Sequence, residues 1–212
     1  MEGSRFRILQ QLQKKTNDTV GGLAGSIGLA PATIRRHLDI LQRDRLVAFE
    51  EVRKKTGRPE YSFYLTEDGH QALPKSYDVL LRLLVDELGK MTAIDLAGMD
   101  GPSVLEALFT RLSAQVGQQV RHESGSPSLK ERTASLLEIL DADEFLPEAE
   151  FVDHRVQIKL LNCPFRTVAM ANNAVCDFDH KIITDILGLE MSRTSCIHDG
   201  DPCCIYESAP TD

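Results

Sequence analysis

The sequence predicts an α+β protein with three parts: helices followed by a hairpin, then central helices, then a small α+β domain with antiparallel strands. Three observations predict it. Helix, turn and strand signals alternate in the first third, apolar stripes at helical spacing fill the middle, and alternating strand patterns carry all the cysteines near the end. The predicted boundaries are 1–73, 74–145 and 146–212.

The composition is that of a globular protein with an uneven charge. The 212 residues are 42% hydrophobic and 26% charged, with a formal net charge of −8, which argues against disorder. Residues 1–75 carry 13 Lys+Arg against 9 Asp+Glu, whereas the remainder carries 11 against 23. A basic head therefore precedes an acidic body, and the negative total does not exclude nucleic acid.

No targeting or membrane segment is evident. No apolar run reaches the roughly 18 residues that a spanning helix needs. The amphipathic first fifteen residues lack the apolar core and small-residue cleavage site of a signal peptide. We therefore expect a cytoplasmic protein.

The first third begins with three helices. Apolar spacing predicts a helix over 4–15, and Thr19 suits the cap of a second helix over 20–27. Gly28 supplies a turn, and Pro31 suits the first position of a third helix. That helix has an apolar stripe, with arginines on and beside the opposite face, which is the arrangement that enters a DNA major groove. Its candidate DNA-binding residues are Thr33, Arg35 and Arg36.

A wing follows the third helix. Strands are predicted over 46–52 and 61–65, joined by a basic segment that contains Gly and Pro. Cations at such a tip can meet phosphates or reach into a minor groove. The first third is thus predicted to be a winged helix-turn-helix that binds double-stranded DNA, with a purely protein-binding winged helix as the alternative. The tip adds three DNA-binding candidates: Lys54, Lys55 and Arg58.

The middle of the chain is predicted to be helical. Ser103 and Glu106, and later Ser128 and Glu131, have the spacing of a capping box at a helix start. Apolar stripes usually pack within one chain, but a single helix-turn-helix makes few specific contacts. We therefore expect these helices to form a homodimer that binds a palindromic operator. The helices are predicted near 74–90, 103–121 and 128–141.

All five cysteines lie between residues 163 and 204, which is far from an even distribution and indicates a shared role. A disulfide framework is not expected in a reducing compartment. Metal or cluster ligation is favoured, and structural core cysteines or redox-sensing thiols are the alternatives. The only feature that favours an enzyme with a thiol nucleophile is the position of Cys163 near a helix start. The sequence shows no candidate general base nearby. We therefore expect the chain not to be an enzyme.

Local structure limits which cysteines can cooperate. A strand pair over 151–152 and 156–161 leads to Cys163 at a strand-to-helix junction, where a helix N-terminus stabilises a thiolate. In one straight helix Cys176 would lie roughly 20 Å away. A shared site therefore requires a chain break, for which Asn172-Asn173 is the obvious place.

A terminal hairpin supplies the other candidates. Strands are predicted over 189–197 and 203–207, and Asp199-Gly200 suits a three-residue loop. Alternate strand residues face opposite sides, so this loop places Cys204 beside Cys196. The predicted ligands are Cys163, Cys176, Cys196 and Cys204, with Cys203 facing away.

The ligand spacing leaves the metal open. The gaps of 12, 19 and 7 residues are unlike the close pairs of structural zinc sites and fit an iron–sulfur cluster held by several elements. Thiolates serve both metals. His180 and His198 are spare ligands, and each is expected to be an ordinary exposed polar residue. A C-terminal domain that binds zinc or a small organic effector is the alternative to a cluster.

The chain as a whole resembles the SufR-type regulators, the repressors of iron–sulfur cluster assembly genes. The resemblance is carried by LAPATIRRHLDILQRDRLV, by GRP at the wing tip and by NCPF…VC…GDPCCIY. It implies a homodimeric repressor with a [4Fe–4S] cluster in each C-terminal domain. Such a protein binds its operator while the cluster is intact, and cluster loss relieves repression.

The resemblance carries over to individual cysteines. Cys163, Cys176 and Cys204 occupy the positions of that family's first, second and last ligands. The family has its third ligand where this chain has Leu189 and Glu190. Cys196, on the neighbouring strand, is the candidate to replace it.

Overall fold

The computed structural model describes residues 3–52, 60–122, 128–152 and 155–210. The chain divides into two compact units, Met1–Pro74 and Lys75–Asp212, and each unit has its own hydrophobic core. The predicted α+β class is confirmed. The central helices and the C-terminal strands contribute to one core, so the predicted boundary at 145/146 does not separate two cores among the described residues.

The first unit is a helical layer on a small antiparallel sheet. The strand order is β1-β3-β2, and the apolar side chains of the three long helices pack on β2 and β3. The elements are α1 (Ser4–Lys15), β1 (Asn17–Thr19), α2 (Val20–Ile27), α3 (Pro31–Arg43), β2 (Val47–Val52), β3 (Glu60–Leu65) and α4 (Glu67–Gln71).

Local sequence signals set the ends of these helices. The Thr19 hydroxyl accepts a hydrogen bond of 3.1 Å from the Gly22 amide at the start of α2. Gly28 ends α2 with φ +75°, a backbone conformation that glycine adopts without steric cost. Pro31 occupies the first turn of α3. The predicted helix–turn–helix is therefore confirmed, whereas the short strand β1 and helix α4 were not predicted.

The second unit packs helices against a four-stranded antiparallel sheet of order β4-β5-β7-β6. α6 and α7 both pack against α9, and α9 contributes eight buried residues to the core or its polar edge. The elements are α5 (Tyr77–Leu88), α6 (Gly101–His122), α7 (Leu129–Ala142), β4 (Pro147–Val152), β5 (Arg155–Leu160), α8 (Arg166–Ala171), α9 (Ala174–Leu187), β6 (Met191–Ser195) and β7 (Cys204–Ser208).

One of the two predicted capping boxes is confirmed. Ser128 and Glu131 form both reciprocal hydrogen bonds at the start of α7. The prediction for Ser103 and Glu106 is wrong, because α6 already begins at Gly101. The carboxylate of Asp100 accepts the Ser103 amide at 3.0 Å and satisfies this helix start instead.

The described part of the chain contains no helix that is both long and apolar enough to cross a membrane.

Candidate functional site

The first candidate surface is the outer face of α3. Ile34, Leu38 and Leu41 are buried in the core of the first unit, which turns Arg35 and Arg36 outward as exposed side chains. Thr33, near the start of the helix, is half-buried. A helix fixed by its apolar stripe therefore presents cations along its solvent side, which suits contact with DNA phosphates and base edges.

The wing strands lie beside this helix. β2 and β3 pair antiparallel from Val47↔Leu65 to Val52↔Glu60. Phe49 and Tyr61 form an edge-to-face ring pair with centroids 4.8 Å apart. The predicted wing tip, with Lys54, Lys55 and Arg58, lies outside the described residues.

The second candidate site is built from four buried cysteines of the second unit. Cys163 follows β5, Cys176 lies in the first turns of α9, and Cys204 begins β7, while Cys196 lies just after β6. All four side chains belong to the same hydrophobic core. The predicted break at Asn172-Asn173 is confirmed, because α8 ends at Ala171 and α9 begins at Ala174.

Cys196 is at the centre of a hydrogen-bonded group of thiols. The Cys204 thiol donates to the Cys196 sulfur across 4.0 Å, and the Cys176 thiol is the other thiol partner. Backbone amides of a short 3₁₀ turn, Ile197–Asp199, add to these bonds. The Ile197 amide donates to the Cys204 sulfur at 3.3 Å, and the His198 amide hydrogen-bonds to Cys196.

These contacts divide the thiols into one acceptor and two donors. The hydrogen bonds from Cys176 and Cys204 lower the pKa of Cys196, because they stabilise its thiolate. The same bonds, together with burial, raise the pKa of Cys176 and of Cys204. The group therefore favours a thiolate at Cys196 flanked by neutral thiols.

Without a bound metal, the surroundings of Cys163 favour its neutral thiol rather than the expected thiolate. Burial raises the pKa of Cys163 to about 12, and the charge of Asp179 adds to that shift. The Phe165 backbone hydrogen bond acts in the opposite direction but is too weak to compensate. The following helix, α8, begins only at Arg166 with Phe165 as its cap residue, so one amide of this helix start donates to the sulfur.

The terminal hairpin brings Cys204 to Cys196, as predicted, but through a different loop. Ser195 pairs with Ile205, so the loop spans 196–203 rather than three residues. Gly200 ends the 3₁₀ turn with φ +95°. Cys203 is only half-buried, in contrast to the buried Cys204.

The two histidines are half-buried rather than exposed. His180 Nε2 lies 2.7 Å from the Met191 carbonyl oxygen, and His198 Nδ1 lies 2.7 Å from that of Ala169. Each ring therefore has a backbone partner, and His198 also lines the cavity described next.

A small cavity separates the cysteines. Its volume is about 10 Å³, and its wall includes Cys163, Cys176, Cys204 and Asp179. Such a space holds about one water molecule. Within the described residues, no group of three or more His, Cys, Asp or Glu side chains is arranged as a ready metal site.

Two polar groups beside the thiols were missed by the sequence reasoning. Asp179 is 6% exposed and Tyr206 is fully buried. Burial raises the pKa of Asp179 well above its ordinary range. Spacing could have identified both residues, since Asp179 is one helical turn after Cys176 and Tyr206 is two strand residues after Cys204.

The first unit has the fold and surface of a winged helix-turn-helix. Residues 2–48 match the family of bacterial regulatory proteins described as the arsR family. The chain is therefore a DNA-binding transcriptional regulator rather than an enzyme.

Comparison with whole proteins adds little to this assignment. No curated protein matches the chain. A solved structure that it matches is that of Bacillus subtilis PadR in complex with operator DNA, at 13% identity over 87% of this chain and 97% of that chain. The TM-score is 0.30.

Proposed function

We propose that this chain is a homodimeric cytoplasmic repressor of the SufR type, which senses a [4Fe–4S] cluster and controls iron–sulfur cluster assembly genes. The observation that carries the proposal is the convergence of Cys163, Cys176, Cys196 and Cys204 in one core of a chain that also has a winged helix-turn-helix. Core cysteines from four separate chain segments are typical of a thiolate site, and here Cys176 and Cys204 both hydrogen-bond to Cys196.

The four thiols are suitable ligands for an iron–sulfur cluster, but the side chains must move to make room for it. Four cysteine thiolates are the usual ligands of such a cluster, and N–H groups of the 3₁₀ turn already point at two of the sulfurs. The cavity of about 10 Å³ accepts a cluster only if these side chains move apart. A bound cluster supplies a redox- and oxygen-sensitive centre whose loss removes the cross-link between α9 and the hairpin.

DNA binding is proposed to depend on α3 and the wing. Thr33, Arg35 and Arg36, with Lys54, Lys55 and Arg58 at the tip, are the proposed contacts. Phosphate contacts of this kind set affinity and its salt dependence, whereas base contacts set the operator.

The test is the metal content of protein purified without oxygen. We expect a brown protein with iron and acid-labile sulfide near four atoms of each per chain, as [4Fe–4S] stoichiometry requires. Serine at Cys163, Cys176, Cys196 or Cys204 should abolish the colour, while Cys203→Ser is the matched control. Colourless protein without iron or sulfide contradicts the proposal. Operator binding should weaken when the cluster is removed from intact protein.

Zinc is the second candidate, and one distance favours it. Zn–S bonds of about 2.3 Å in a tetrahedron place ligand sulfurs about 3.8 Å apart, close to the 4.0 Å between Cys196 and Cys204. Stoichiometric zinc in place of iron, in the same preparation, would identify this site as zinc-binding.

A small organic effector is the remaining alternative. A cavity of about 670 Å³ opens between α6 and α9 and is lined by Leu105, Phe109, Phe178 and Lys181, among others. That volume lies within the range of small-molecule sites. An effector that changes operator binding of a Cys176→Ser variant would favour this cavity over the cysteines.

The exposed face of α5 is the proposed dimer surface. Leu81, Val85 and Leu88 are 63%, 58% and 49% exposed at one helical stripe, flanked by exposed Arg82 and Asp86. In a two-fold pairing the same patch meets itself, so opposite charges can pair reciprocally. We expect Val85→Asp to convert a dimer to a monomer in sedimentation, whereas Val168→Asp, at another exposed valine, should not.

A further inference from the structure

Two buried polar groups lie in the core of the second unit, and one of them has no hydrogen-bond partner among the described residues. The Tyr206 hydroxyl is a buried oxygen with no hydrogen bond, although the side chain is fully enclosed. The Asp179 carboxyl is 6% exposed, and among the described residues no hydrogen bond contributes to the shift of its pKa. Buried polar groups in native proteins are nearly always satisfied, and each exception calls for an explanation.

Both groups face the cysteines. Asp179 lines the small cavity together with Cys163, Cys176 and Cys204. Tyr206 follows Cys204 by two residues in β7, so both side chains point to the same side of the sheet. That side is the one covered by α9, since the Tyr206 ring packs on His180 with ring centroids 5.6 Å apart.

The surrounding groups do not provide partners for them. The His180 ring is bonded to the Met191 carbonyl, and the His198 ring to that of Ala169. Arg193, the nearest cation to Asp179 in electrostatic terms, is directed to Asp177 and Asn173. A hydroxyl and a carboxyl therefore lie beside the thiols with no hydrogen-bond partner among the described residues.

We propose that Asp179 and Tyr206 form the polar wall of the cysteine site and take their partners from the group bound there. The Tyr206 hydroxyl donates a hydrogen bond to a sulfur of that group or of a ligating thiolate. The Asp179 carboxyl, which lines the same cavity, donates its acidic proton in a second hydrogen bond to those sulfurs. This inference rests on the proposed thiolate site, and it assigns both residues as positioning residues for the bound metal.

The assignment has a consequence that a purely structural role lacks: each variant has effects of opposite sign in the metal-free and the loaded protein. Tyr206→Phe removes an unsatisfied oxygen from the metal-free core, so its melting temperature should be unchanged or higher. In the loaded protein the same change removes a hydrogen bond, and metal affinity should fall. Asp179→Leu, which removes the polar group at a similar volume, should behave in the same way.

The experiment titrates the full-length metal-free chain with Co²⁺ alone and, in parallel, reconstitutes it with Fe²⁺ and sulfide without oxygen. We expect Tyr206→Phe and Asp179→Leu each to weaken Co²⁺ binding roughly 10- to 100-fold, as substitutions around a metal site typically do. Iron should also be released faster to a chelator. Asp177→Asn, an exposed carboxylate on the same helix, should bind as the unmodified chain does.

Tyr77→Phe serves as the structural control. Its hydroxyl has partners at Thr167, so removing it should lower the melting temperature equally with and without metal and leave Co²⁺ affinity unchanged. If Tyr206→Phe or Asp179→Leu lowers metal-free stability in this way, or fails to fold, that residue is structural and its assignment is wrong. Unchanged Co²⁺ affinity in a folded variant also overturns it. If the unmodified chain binds neither Co²⁺ nor iron and sulfide, the proposed function itself fails.

Discussion

The two units of this chain differ in what they bury. The buried polar residues of the first unit, Gln13 and Ser62, are neutral, and its core cluster is otherwise aliphatic and aromatic. The second unit buries the carboxyls of Glu87 and Asp179 and four thiols. The first unit therefore acts through its surface cations, whereas the second keeps its reactive groups inside.

The two units also differ in whether their buried polar groups have hydrogen-bond partners. In the first unit, the Nδ1 atom of half-buried His37 is the one orphaned side-chain atom among the described residues. In the second unit, Glu87 is fully satisfied by its neighbours, while the Tyr206 hydroxyl has no partner among the described residues. Burial of an acid is therefore compatible with a stable core, and it is the missing partner that indicates a binding site.

The largest expected effect tests whether the two cores are independent. Leu38→Ala and Ile183→Ala each truncate a side chain with at most 1% exposure and should cost about 2–5 kcal/mol of unfolding free energy in their own unit. Leu38→Ala should abolish DNA binding and spare Co²⁺ binding, and Ile183→Ala should do the reverse. Urea unfolding followed by both binding signals measures this. Loss of both signals in both variants would show that the units unfold together.

The next effect concerns the satisfied acid, Glu87. Burial alone would raise its pKa, but hydrogen bonds from Arg111, Gln115 and Lys90 outweigh burial and hold the pKa below the ordinary 4.5. Arg111 Nε lies 2.5 Å from the carboxylate, and Gln115 Nε2 lies 2.6 Å from it. Glu87→Gln should lower the unfolding free energy by roughly 1–3 kcal/mol at neutral pH.

The pH dependence of that effect has a definite sign. A carboxyl with a lowered native pKa stabilises the fold above its unfolded pKa, and the stabilisation is lost as the pH falls through the native pKa. The difference between Glu87→Gln and the unmodified chain should therefore shrink below pH 4.5. Glu106→Gln, at a 78% exposed side chain, is the control and should show no comparable difference.

The smallest effect probes the surface of the first unit. Arg36→Ala should weaken DNA binding about tenfold at low salt and reduce the slope of log K against log salt by about one, if Arg36 contacts a phosphate. Fluorescence anisotropy at several salt concentrations measures both quantities. Arg82→Ala, an exposed arginine of the second unit, is the control. An unchanged slope with lost sequence preference would instead assign Arg36 to base contact.

Features governed by neighbouring residues in the sequence could be predicted. The caps at Thr19 and Ser128 and the helix start at Pro31 depend on groups within four residues. Features set by tertiary packing could not. β1 has only three residues and forms because β3 lies beside it. α6 begins two residues before Ser103 because the Asp100 carboxylate accepts a hydrogen bond from the Ser103 amide in the first turn.

The cysteine site shows the same division. Strand alternation correctly separated Cys204 from Cys203, because facing depends on parity alone. The protonation state of Cys163 could not be predicted, because it depends on how much apolar surface encloses the sulfur. No local sequence pattern indicates that degree of burial. Asp179 and Tyr206 were missed because a carboxyl or phenol gives no sign in the sequence that it lacks a partner.

The 3₁₀ turn at Ile197–Asp199 has a consequence for how this protein tolerates change. Its hydrogen bonds to Cys196 and Cys204 come from main-chain amides, so side-chain replacements at His198 or Asp199 leave the donors in place. Adding or removing one residue there would withdraw them. The length of this segment, more than its composition, should therefore govern how fast an alkylating reagent modifies the two thiols.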